Sequence, residues 1–192
     1  MTKNHLIFYL LLIGFSFIIG CQQVSNNSNN KPVTMETHKL KENKYNDLRK
    51  QVFGLTSDKL GLKSNGKNPF LVVLDIGYDS VTMTLITIID GNASIYLSSG
   101  GGVIGGFKHD NVKNTAIRLV NESSEYISKM TLTTDFSVPM TGNAKLYAMT
   151  DNGVYFFEDK ISNFESDKSE LSKLYLLGHY AITEFRKISE NK

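Results

Sequence analysis

Two short peptides constrain the fold of this chain more than any figure of composition: Asp90-Gly91-Asn92 and Asp151-Asn152-Gly153. Residues of these types tolerate the positive-φ backbone that a tight hairpin needs, so each peptide marks a point where two strands turn back on one another. Residues 81–89 begin by alternating, Val81, Met83 and Leu85 against Thr82 and Thr84. Residues 93–99 alternate again, Ala93, Ile95 and Leu97 against Ser94, Tyr96 and Ser98. Ahead of them residues 70–77 (FLVVLDIG) form a dense apolar run closed by Gly77-Tyr78-Asp79-Ser80. Three strands in an antiparallel meander are predicted, and residues 144–150 and 154–158 supply two more across the second hairpin.

Helical spacing accounts for the rest. Tyr45, Leu48, Val52 and Leu55 recur along one stripe within residues 35–53 and its exit. Val112, Ala116, Leu119, Val120, Ile127 and Met130 share another behind an Asp110 or Asn111 N-cap, with residues 131–143 as a loop. Asp167-Lys168-Ser169-Glu170 resembles a capping box, and Leu171, Leu174, Gly178, Ala181, Phe185 and Ile188 step along a last helix. The expected fold is one α+β domain over residues 35–192, in the order α-β-β-β-α-β-β-α, its five-stranded antiparallel sheet covered by helices on its apolar face. That order is similar to the type III secretion chaperone fold and close to profilin-like and roadblock-like domains, a likeness of fold that carries no function.

The start of the chain gives an address. Lys3 precedes an apolar run over residues 6–20, and Cys21 follows at once. Such a run reads as a secretory signal; fifteen residues rise only about 22 Å as a helix, short of a bilayer core of about 30 Å. Ile18-Ile19-Gly20-Cys21 resembles the lipobox of bacterial lipoproteins. The resemblance implies cleavage after Gly20 and acylation of Cys21, hence residues 1–20 as signal peptide and residues 21–34 as lipidated cysteine and tether. It also implies a lipid-anchored protein of the bacterial cell envelope, with the outer membrane as destination in a Gram-negative cell because Gln22 and not Asp follows the cysteine. Residues 22–34 (QQVSNNSNNKPVT) have almost nothing to bury and are expected to be disordered.

Cys21 is the only cysteine, so none is left for disulfides, thiolate metal sites or cysteine catalysis. Removing Lys3 with the signal leaves twenty basic against nineteen acidic side chains, a balance that argues against nucleic acid as a partner.

The stretch Ser98-Ser99-Gly100-Gly101-Gly102-Val103-Ile104-Gly105-Gly106 satisfies the spacing G-x-G-x-x-G, but it follows an antiparallel meander, and no strand ending in an acid follows about 20 residues on, as a dinucleotide site requires. Residues 61–68 (GLKSNGKN) approach a phosphate-binding loop but carry Asn68 where Ser or Thr belongs, with no strand ahead of them, and read as a turn. The glycine run could still cradle an anion through backbone N–H groups beside a helix start. Ser99, Gly100, Gly101, Gly102, Gly105, Gly106, Lys108 and His109 are therefore candidate ligand residues, against the plainer reading of a flexible corner. Asp75 and Tyr78 are candidates at the same end of the sheet, with Asp75 read as the strand's exposed end or a partner of Ser80. His179 flanks the last helix's stripe and reads as a packed residue. No catalytic, metal or cofactor motif declares itself.

Residues 74–110, through Asp75-Ile76-Gly77-Tyr78, the strand ending at Ser99 and the glycine run, resemble a group of uncharacterised bacterial proteins with a GY turn, an SLYFS-like strand and a GGGVIGGG-like loop. The chain departs from that pattern at Phe107. The resemblance implies a domain family and carries no site. The leading expectation is a membrane-anchored, non-enzymatic binding or accessory domain whose partner is an envelope protein or a small ligand. An anion-binding or enzymatic domain using residues 100–106 and an immunity or inhibitor lipoprotein remain open beside it.

Overall fold

A computed structural model of the chain describes residues 34–63 and 65–190, with side chains over 44–188. The signal run, Cys21 and the tether up to residue 33 lie outside the described residues. The elements are α1 (Thr34–Phe53), β1 (Leu71–Gly77), β2 (Thr82–Ile88), β3 (Ala93–Leu97), β4 (Gly102–Ile104), α2 (Asp110–Ser123), β5 (Thr131–Thr133), β6 (Asn143–Thr150), β7 (Gly153–Lys160), α3 (Ile161–Glu165) and α4 (Ser172–Glu190). Short 3₁₀ turns precede and follow α2. The strands form one antiparallel sheet in the order β4-β3-β2-β1-β6-β7-β5.

The fold is α+β as expected, but the sheet has seven strands, not five. The two additions, β4 and β5, are three residues each and form its margins. A strand that short shows no alternation to read, and β4 is drawn from the glycine run itself. With α3 also added, the order becomes α-β-β-β-β-α-β-β-β-α-α, so the order behind the likeness to secretion chaperones and profilin-like domains does not hold. His109, not Asp110 or Asn111, occupies the N-cap position of α2, with no side-chain cap bond, and the helix gives way after Ser123 to a 3₁₀ turn that carries Ile127 toward Met130.

Helices cover both faces of the sheet, not one. Residues of β1 divide with a period of two: Val72, Leu74 and Ile76 join a core with α2 and α4, whereas Leu71 and Val73 join a second core with α1 and Leu60. That is why all seven residues of β1 are buried and its sequence runs apolar without alternating. The segment after α1 is fastened to the second hairpin, where the Ser57 hydroxyl donates to Asp151 Oδ2 at 2.6 Å.

Candidate functional site

The glycine run does not form a single loop. Ser98–Gly101 is the turn between β3 and β4, closed by the Gly100 N–H on Leu97 O at 2.9 Å, and Gly100 and Gly101 take φ of 96° and 90°. Gly102 then opens β4 opposite Tyr96, and Gly105 and Gly106 emerge at the opposite end of the sheet. Three strand residues put about 10 Å between the two glycine groups, so they cannot cradle one anion. Gly106 is glycine for packing reasons: a Cβ there would lie 2.5 Å from Val112 Cγ1 and from Phe185 Cζ, beneath α4. Ser99 is exposed on the turn, on the same end of the sheet as the half-exposed Tyr78 and away from Lys108 and His109.

Lys108 and His109 stand instead at the start of α2, where with Asp110, Asn111, Glu184 and Lys187 they line a shallow cavity of about 530 Å³. Glu184 is its buried carboxylate, accepting from Asn111 Nδ2 at 2.9 Å and from Lys187 Nζ at 2.6 Å. These donors hold the carboxyl below its ordinary range, Lys187 first. The cavity therefore carries both signs of charge, with its Glu184 carboxylate already paired to Lys187.

Asp75 is the largest departure from expectation. It is 0 % exposed, in the middle of β1's pairings with β2 and β6, and bonds neither Ser80 nor the Tyr78 turn. Arg49 of α1 forms a buried ion pair with its Oδ2, and the Thr84 hydroxyl donates to its Oδ1. With that proton spent, the Tyr45 hydroxyl donates in turn to Thr84 Oγ1 at 2.6 Å. Register makes this a row across the α1 face of the sheet. Tyr96 sits opposite Thr84, Thr84 opposite Asp75, Asp75 opposite Lys145, and Lys145 opposite Glu158. Lys145 Nζ lies 3.4 Å from Glu158 Oε2 and donates to Ser137 O at 3.2 Å. Burial pushes the Asp75 carboxyl up while Arg49 and Thr84 pull against it, and Asp75 in turn raises Arg49 despite burial, which keeps the guanidinium charged. Tyr45, desolvated and facing Asp75, is pushed up to about 12. Tyr45, Arg49, Asp75 and Thr84 are all buried, and the arrangement is a structural clamp between α1 and the sheet.

A second cluster lies on α4. Tyr175 stacks on Phe164 with centroids 4.6 Å apart and meets the His179 ring at 4.4 Å with the planes tilted by 49°. Burial holds His179 below 6.5, against the pull of Glu165. His179 is a packed helix-side residue, as its spacing suggests.

Sequence reasoning missed Arg49, Thr84, Lys145 and Glu158. One signal was available: an acid inside an apolar run must be paired, and Arg49 lies four residues after Tyr45 on the buried stripe of α1. The residues opposite Asp75 could not be named without the register. No family model, curated protein or solved structure matches the chain.

Proposed function

We propose that the chain is a lipid-anchored protein of the bacterial envelope whose domain works as a non-enzymatic binding or accessory module. The observation that carries this reading is the place of Cys21. It is the only cysteine, it ends an apolar run behind Ile18-Ile19-Gly20, and a polar stretch separates it from α1 at Thr34. Diacylated or triacylated proteins have more than the single chain that gives only marginal membrane binding, so the anchor holds stably. The buried ion pair supports a binding over a catalytic role: Asp75 and Arg49 lie under α1, 0 % and 6 % exposed, out of a substrate's reach. Expression of the full chain in a bacterial host with labelled palmitate tests the anchor. Label and membrane partition are expected for the parent chain and lost in Cys21→Ser; equal partition of the two removes the reading.

A small-anion reading keeps one specific observation, the cavity beside Lys108, His109 and Lys187 at the start of α2. The buried Glu184 opposes it. Inorganic phosphate should raise the melting temperature in proportion to its logarithm once above its Kd. No shift up to tens of millimolar, or a shift retained in Lys108→Glu, removes this reading.

A further inference from the structure

The loop of residues 134–142, between β5 and β6, is held from two sides. From the sheet, Lys145 Nζ donates to Ser137 O and Oγ at 3.2 and 3.1 Å, and the Tyr147 hydroxyl donates to Ser137 O at 2.9 Å. From α1, Arg49 Nη1 donates to Phe136 O at 2.7 Å, and the Phe53 ring stacks on Phe136 with centroids 4.3 Å apart and planes 5° apart. Beyond these supports the tip turns outward, with Val138 40 % and Met140 74 % exposed. The loop closes by the Gly142 N–H on Gly77 O at 2.9 Å.

Arg49 thus serves two segments at once. One arm of its guanidinium reaches Asp75 in β1, the other Phe136 in the loop. The side chains that dock α1 on the sheet are therefore among those that shape the loop. We propose that α1 is a latch on the 134–142 loop: with α1 docked, the loop holds the Val138 and Met140 side chains out to solvent on either side of the buried Pro139, and when α1 lifts, the loop loses Arg49 and Phe53 together and relaxes. Lifting α1 takes the Arg49 cation away from Asp75 and leaves it Thr84 and the facing Lys145 as polar neighbours, so the docked position is the favoured one. Whatever binds or pulls at the amino-terminal side of α1 is then read out at an apolar loop on the far side of Arg49. The latch does not depend on acylation of Cys21.

Coupling between two sites is reciprocal, and reciprocity supplies the test. Hydrogen exchange with mass spectrometry is followed on the full chain and on Phe53→Ala and Phe136→Ala. A stacked aromatic pair is strong enough to change local opening by about threefold to tenfold. Phe53→Ala should speed exchange over residues 134–142, and Phe136→Ala should speed exchange over residues 44–53 by a similar factor, with β1 protection unchanged. An effect confined to the mutated segment in either variant overturns the latch. If either alanine variant also deprotects β1, Arg49→Lys replaces it, keeping a charge for Asp75 but shortening the reach to Phe136 O. Faster loop exchange with β1 still protected is then expected, and unchanged loop exchange overturns the proposal.

Discussion

At the residue scale the sheet's interior is decided by how Asp75 is satisfied. Arg49→Met leaves its carboxylate buried without a cation and should cost about 3–5 kcal/mol in urea denaturation. Asp75→Leu leaves Arg49 in the same position and should cost a similar amount. The double variant should lose clearly less than the two singles together, because neither charge is then orphaned. His179 sets a second expectation. Its folded pKa lies below 6.5, chiefly through burial, so the folded state takes up a proton later than the unfolded chain. Its contribution is complete above about pH 6.5 and is lost as the pH falls toward the lower folded value. Melting temperature should therefore begin to drop below that pH, and His179→Gln should flatten that part of the profile; an unchanged slope would show that other groups carry it.

Among the elements, those with strong local signals were legible in the sequence. The hairpins at Asp90-Gly91-Asn92 and Asp151-Asn152-Gly153 join β2 to β3 and β6 to β7, and α1 and α4 lie close to where their stripes placed them, whereas α2 ends at Ser123, short of the Ile127 and Met130 its stripe included. Of the elements that escaped, β4, β5 and α3, the first is set inside the glycine run, and glycine reads as a loop because it packs nothing of its own. Its existence depends on β3 offering a free edge, a fact of topology with no local trace. The same holds for the clamp, since Arg49 and Asp75 are 26 residues apart and meet only when α1 crosses the sheet. Two substitutions separate packing from ligand binding in the glycine run. Gly106→Ala forces a methyl against Val112 and Phe185 and should cost about 1–3 kcal/mol. Gly101→Ala meets nothing within 4 Å and should cost only about 1 kcal/mol, for its φ of 90°. A thermal melt that ranks the two the other way would mean that the turn, not the α4 contact, is the constrained end.

On the scale of the whole molecule, the three-layer arrangement explains how a chain without a disulfide holds itself together. Two apolar cores, one on each face of the sheet, share β1 as their common wall, so central-strand residues contribute to both. The sheet's margins matter for a different reason. On one side it ends in β4, three residues beginning with Gly102; on the other, β5 pairs with β7 only over residues 154–156, and the rest of β7 continues as Phe157, Glu158, Asp159 and Lys160. A long free strand edge invites a neighbour's strand, whereas a glycine stub and a charged stretch do not. Proteins anchored to one surface collide in two dimensions, with their orientations already restricted. Under the anchoring proposed at Cys21, a sheet blunted at both borders would let such a population become dense without its members knitting into a continuous fabric.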